Sequence, residues 1–330
     1  MSFTRRDFGK LAAASLSAAA LRPGTLFAQT MPDSTVHGVD LGVISYSYRQ
    51  MKPFDANAVL KYTLENGIDA VELENVQESW AGAPAAPPRP MPARPSPGMQ
   101  VGEQRPKPSP EFLAAQAAHG EAMTKWRLSV PMTKYEALRK MYNNAGVRIY
   151  AFKITLNMKM PDAEFDYAFK AAKACGANQL TMEMPDGNPE LTKRIGDFAS
   201  KYKMMVGYHA HLQAKPDTWD EAMAQSPYNG INLDLGHYTA AGNHDAVAFI
   251  QKNHARITSM HVKDRKFPES GGQNTPFGEG DTPIKAALQL MKKEGYKFPA
   301  TIEMEYTVPA DSDAVKEVGK CLAYCKACLA

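Results

Sequence analysis

From residue 38 onward the chain alternates short apolar runs with stretches whose apolar positions recur at helical spacing. Eight runs of strand length are present: VDLGVISYSY (39–48), IDAVELE (68–74), VRIYAFKIT (147–155), NQLTMEMP (178–185), KMMVGYHAH (203–211), GINLDLGH (230–237), ITSMHVKD (257–264) and PATIEMEY (299–306). Between most of them lie helical patterns, among them FDANAVLKYTLENG, TKYEALRKMYNNAG, DAEFDYAFKAAKACG and TPIKAALQLMKKEG. Each of these four ends in a glycine just before the next strand, as helix C-caps do. Strand and helix alternating eight times predict a parallel sheet closed into a single (β/α)8 barrel of the α/β class. A doubly wound open sheet is the alternative, but no G-x-G-x-x-G follows the first strand. One stretch breaks the rhythm: residues 81–110 are rich in proline and alanine and predict no regular structure. Following the second strand, this insertion would leave from the C-terminal face of the barrel, either as a lid or interface arm or as a surface loop.

On that face the polar residues need explaining. The strands end in Glu72, Lys153, Glu183, His209 with His211, Asp234 with His237, His261 with Lys263 and Asp264, and Glu303 with Glu305. A barrel built only for stability would carry valine, isoleucine and leucine there. Carboxylates and imidazoles converging on one mouth repel or stay unpaired unless a cation sits among them. Mixed Asp, Glu and His donors suit manganese, magnesium, zinc or iron, and no cysteine is placed to favour a soft site. In VGYHAHLQ (206–213), His209 and His211 share one face of a strand, which makes them a metal site, a substrate-binding feature or two packed histidines.

Charge narrows the partners. The formal net charge of +3 is carried by residues 1–28, where Arg5, Arg6, Lys10 and Arg22 face only Asp7. The remainder is neutral and offers no footprint for nucleic acid. The same N-terminus has an arginine pair ahead of a small-residue, weakly apolar stretch, which is export-signal architecture and too alanine-rich for a membrane span. TRRDFGK resembles the twin-arginine signal, with Gly9 where leucine is commoner; the resemblance implies a periplasmic protein starting near Gln29, without stable membrane insertion. Cys321, Cys325 and Cys328 fall on one face of a C-terminal helix and, with Cys175, read as buried thiols, with disulfides as the alternative in an oxidising compartment.

NLDLGHY, SMHVKDR, PFGEGDTPI and PATIEME resemble the successive signatures of the sugar phosphate isomerase/epimerase family, within the xylose-isomerase-like barrel superfamily. Its relatives include tagatose/psicose 3-epimerases, hydroxypyruvate isomerase and inosose dehydratase. The likeness runs from about residue 38 to the C-terminus. It implies one divalent metal, manganese by preference, with magnesium, cobalt, zinc or iron as alternatives. The matching ligands are Glu183, Asp234, His261 and Glu303, and Glu183 and Glu303 match the acid/base pair. His237 matches a histidine placed against substrate oxygens. His209 falls on the fifth-strand H-N-H of many members, read here as substrate-side with His211 further out, and with direct ligation as the alternative. Glu305 fits a second carboxylate after the last ligand. Glu72, Lys153, Lys263 and Asp264 complete the candidate substrate-binding set.

What the resemblance implies is proton transfer through an enediolate on a small carbohydrate. The same residues support epimerisation, isomerisation, or elimination by a lyase or dehydratase acting on a 3-keto-glycoside or inosose. Export and the lack of a glycine-rich phosphate loop predict an unphosphorylated sugar or keto-sugar. A non-catalytic periplasmic sugar-binding barrel and a metal-dependent hydrolase or endonuclease are the rivals. A homo-oligomer is compatible with the chain.

Overall fold

Each of the eight apolar runs supplies one barrel strand in the computed structural model, which describes residues 31–88 and 109–330. The strands are β1 (Val39–Ile44), β2 (Ala70–Glu74), β3 (Arg148–Lys153), β4 (Gln179–Glu183), β5 (Met205–His209), β6 (Asn229–Asp234), β7 (Ile257–Val262) and β8 (Ala300–Ile302). Each pairs in parallel with the next, and β8 returns to β1 with Leu41 opposite Ala300 and Val43 opposite Ile302. A two-residue strand, Thr35–Val36, pairs antiparallel with the start of β1. Its turn uses His37 (φ 50°) and Gly38 (φ 82°), the two consecutive positive φ values that a tight hairpin requires.

The helices are α1 (Ala56–Glu65), α2 (Val76–Trp80), α3 (Pro110–Arg127), α4 (Thr133–Asn144), α5 (Asp162–Cys175), α6 (Pro189–Tyr202), α7 (Asp220–Gln225), α8 (Leu235–Ala240), α9 (Ala246–Asn253), α10 (Ile284–Glu294) and α11 (Ala314–Leu329). The four predicted helices match α1, α4, α5 and α10, and the glycines after them (Gly67, Gly146, Gly176 and Gly295) all adopt positive φ. The predicted runs outlast their strands, and in two of them the chain turns into a helix. Ser45–Tyr48 winds into a 3-10 turn, and β6 stops at Asp234, whose Oδ1 accepts from the His237 backbone N–H at 2.6 Å and caps α8. Helix α3, unpredicted, begins where the proline-rich segment ends; Ser109 caps it and Arg127 ties it to Glu78 and Glu164 at 2.9 Å each. The expected export signal and residues 89–108 of the insertion lie outside the described residues. Among the described residues no helix is long and apolar enough to cross a membrane.

Side chains alternate along each strand, and the two faces differ in kind. Leu180, Met182, Val206, Tyr208, Ile231, Leu233, Met260, Val262 and Ile302 join the helices in the main apolar core. The opposite positions carry Gln179, Thr181, His209, Asn232, Ser259, His261 and Thr301, which bond to one another or to Glu72 and Tyr150 inside the barrel. Gln179 on β4 reaches Ser259 on β7 at 3.1 Å, and Thr181 on β4 reaches Glu72 on β2. The lumen is therefore a polar network, and the hydrophobic stabilisation sits in the strand–helix layer. Two register shifts serve this arrangement. One skips Tyr150 between Val71 and Glu72, and one falls between Ile231 and Asn232, each just before an inward polar residue.

The four cysteines are free and buried. Burial pushes the Cys321 thiol up to about 12 and raises the Cys175 and Cys325 thiols further out of the reactive range. A thiol reagent at pH 8 is expected to label no cysteine rapidly in the folded protein and all four in denaturant; fast labelling of the folded chain would contradict this packing.

Candidate metal and substrate site

The inward positions at the C-terminal ends of β5 to β8 bring four donors together. His209, Asp234, His261 and Glu303 each offer one ligand atom, all within 4.8 Å of one another, and all four residues are buried. His209 is oriented from below, its Nδ1 lying 3.2 Å from Asn232 Oδ1, so Nε2 is the nitrogen turned to the group, 3.9 Å from Asp234 Oδ2. Burial, reinforced by the Lys153 charge, pushes His209 down to about 3, and the ring is neutral.

His261 lies between two carboxylates, with Nε2 2.8 Å from Glu72 Oε2 and Nδ1 2.9 Å from Glu303 Oε2. Burial alone would depress it, but Glu72 and Glu303 outweigh burial and hold it up at about 10. Glu72 is fixed in turn by Thr181 and by Tyr150 at 3.2 Å. Lys263 Nζ stands 2.9 Å from Asp234 Oδ2, 3.0 Å from Glu303 Oε2 and 2.6 Å from Glu305 Oε2. Burial works against its charge, and the three carboxylates more than restore it.

This donor set fits a divalent ion. Two imidazoles and two carboxylates form a borderline-to-hard set, and Asp234 Oδ2 is buried without a hydrogen bond of good geometry, its close cation being Lys263. With Nε2–H of His261 on Glu72, an orientation that a neighbouring carboxylate commonly enforces, Nδ1 is the nitrogen that would face an ion once it releases the proton it holds toward Glu303. Lys263 balances the same carboxylates by itself and has to yield Asp234 and Glu303 to an incoming ion.

The geometry changes the expected ligand set at one place. Glu183 stands outside the four-donor group. Its Oε1 is 2.9 Å from Lys153 Nζ and its Oε2 3.3 Å from His211 Nε2, and with 42% of its side chain exposed it belongs to the rim. His209 stands in the four-donor group instead, as in the alternative raised by the sequence. His211 lies at the rim too, its side chain 52% exposed, beside His237 with ring centroids 4.6 Å apart. Asp264 does not face the site: its carboxylate accepts from the backbone N–H of Gly278, Gly280 and Thr282 at 2.7, 3.0 and 3.3 Å and pins that loop. Gly280 is required there, because a Cβ would meet Asp264 Oδ1 at 1.9 Å.

Sequence reasoning missed Glu74, 3.8 Å from Lys153, and the lumen residues Tyr150, Thr181, Asn232, Ser259 and Thr301. Part of the signal was available: every second residue is polar in QLTME, and so are the ends of two others, at Asn232 and Asp234 and at Ser259 and His261.

A family model, the xylose isomerase-like TIM barrel, matches residues 121–325. No curated protein matches the chain. Among solved structures, a sugar phosphate isomerase/epimerase from Parabacteroides distasonis superposes with a TM-score of 0.55 at 16% identity, covering 89% of this chain and 96% of its own. The probable 3-DHS dehydratase AsbF of Bacillus anthracis gives 0.58 at 13%, covering 86% and 98%. An L-ribulose 3-epimerase gives 0.57 at 11%, covering 88% and 94%. At these identities the likeness is one of fold, and together with the family model it assigns the chain: it belongs to the xylose isomerase-like TIM barrel family.

Proposed function

We propose that the protein is a divalent-metal-dependent isomerase or epimerase that moves a proton on an unphosphorylated sugar or keto-sugar. The observation that carries the reading is the buried His209–Asp234–His261–Glu303 group at the C-terminal mouth of the barrel. A divalent ion bound there, with manganese preferred, supplies Lewis-acid polarisation of neighbouring hydroxyl and carbonyl oxygens. Glu303 commits Oε2 to His261 and Lys263, which leaves Oε1 to exchange a proton with substrate carbon. At the rim, Glu183 between Lys153 and His211 is the second carboxylate able to return it. The net neutrality of the residues beyond 28 and the likeness of TRRDFGK to a twin-arginine signal support a periplasmic site of action on a small carbohydrate, without nucleic acid as partner.

Elimination from a 3-keto-glycoside or inosose is the second reading. It draws support from the separation of Glu183 from the inner group, which leaves Glu303 without the second glutamate of the acid/base pair beside it, and from the presence of a probable dehydratase among the structural neighbours. A panel of ketoses, 3-keto-glycosides and inososes in heavy water tests both. Deuterium at the carbon of an isomerised product, dependent on about one divalent ion per chain, supports the first reading, and release of water or an aglycone supports the second. Binding without turnover across the panel would favour a sugar-binding barrel and sink both.

A further inference from the structure

Strand β8 is only three residues long, yet Glu303 and Glu305, which follow it, both reach Lys263 at the mouth. The backbone that carries them has lost one neighbour. Pairing with β1 ends at Val43 opposite Ile302, because the chain after β1 winds into the Ser45–Tyr48 turn. On the other side the Glu303 N–H still donates to the Val262 carbonyl of β7 at 3.0 Å. Backbone groups along a strand face its two neighbours alternately, so the Ile302 carbonyl and both polar groups of Met304 face the side that β1 has left. Met304 is fully buried, and those groups need partners.

Side chains of the turn supply them. The Ser47 hydroxyl accepts from the Met304 N–H at 3.0 Å and donates to the Ile302 carbonyl at 3.2 Å. Arg49 Nη1 donates to the Met304 carbonyl at 3.1 Å, and the guanidinium is steadied over the Tyr46 ring, 4.3 Å from its centre. A hydroxyl both donates and accepts, so the fully buried Ser47 does the work of two ladder bonds. On the other side of the turn Ser45 makes the matching pair, accepting from the Glu74 N–H at 2.9 Å and donating to the Glu74 carbonyl at 3.2 Å.

We propose that Ser47 and Arg49 are positioning residues for the donor group: by fixing the Met304 backbone they aim Glu303 at the other three donors and Glu305 at Lys263. His209, Asp234 and His261 each lie within a strand, whereas Glu303 lies beyond the end of β8 and depends on the turn for its place. Met304 sits between the two glutamates, so a shift of its backbone moves both carboxylates. The clamp belongs to the metal-free protein; its effect on an ion rests on the proposed function.

Amide hydrogen exchange and manganese calorimetry on the full chain test the two parts separately. Ser47→Ala is expected to speed exchange at the Met304 amide by about tenfold, in keeping with the loss of one hydrogen bond. It is expected to weaken manganese binding by about 10–100-fold, the range for losing a group that orients a ligand. Ser45→Ala removes the same chemistry from the other side of the turn, and is expected to speed exchange at Glu74 and to leave manganese affinity within a few-fold of wild type. Manganese bound as tightly by Ser47→Ala as by the wild type overturns the proposal. Equal weakening by Ser45→Ala also overturns it, since that would mark a general loss of packing. A wild-type protein that binds no manganese overturns the metal-dependent reading of function instead, and exchange at Met304 then decides the clamp alone. Should Ser47→Ala not fold, Arg49→Met, at a half-buried position, is read against the same outcomes.

Discussion

Replacing Glu303 by glutamine is expected to reduce deuterium exchange into a keto-sugar by about 10²–10⁴-fold, the range associated with losing a positioned acid or base. Glutamine keeps the shape and its single oxygen can still accept from His261 and Lys263, but the NH2 in the place of the free carboxylate oxygen takes no proton, and one of the four donors loses its charge. Metal content should fall along with exchange. The measurement is exchange by mass spectrometry with metal analysis of the same sample. Exchange within a few-fold of wild type, with the ion retained, would remove Glu303 from the chemistry. Glu183→Gln is the informative companion, since a rim carboxylate paired with Lys153 and His211 predicts lost exchange with metal content intact.

The largest stability effect is expected at Glu72. Its carboxylate is fully buried, pairs with His261 Nε2 at 2.8 Å and accepts from Thr181 and Tyr150. Burial raises the pKa of such a group, yet His261 more than compensates and Glu72 titrates below the ordinary carboxylate range. Glu72→Leu removes one partner and leaves His261 and two hydroxyls to be rebalanced in the lumen. Breaking a buried pair from one side costs about 3–5 kcal/mol. Urea unfolding of the metal-free protein should report a midpoint shift of that size with an unchanged slope. A loss below about 1 kcal/mol would mean that water or a neighbouring side chain substitutes for the carboxylate.

Much of the fold was legible because the strand–helix layer obeys simple periodicity. All eight strands and the four named helices follow from apolar spacing and from glycine C-caps such as Gly176 at φ 81°. The errors have local causes. The run at 230–237 alternates apolar and polar residues up to Asp234, but Asp234 caps a helix with its side chain, and a capping aspartate at that place is not distinguishable from an inward strand residue by periodicity. Most of the candidate site was legible too, since strand ends converge in a barrel by construction. The fourth member of the donor group was not, because which of Glu183 and His209 reaches the centre depends on Lys153 drawing Glu183 to the rim. Asp264 reads as a site residue by position, and only the loop it pins, distant by 14–18 residues, shows otherwise.

The polar lumen also constrains how this sequence can drift. Gln179, Ser259, Asn232 and His209 form one chain of mutual partners, and His261, Glu72, Tyr150 and Thr301 a second, and both run to the donor group. Changing one link to an apolar residue orphans its neighbour, whereas changing both partners of a link is far cheaper. Substitutions in the lumen are therefore epistatic, and the helices around it are free to vary singly. The barrel can diverge rapidly on its outside while its inner threads are inherited as units.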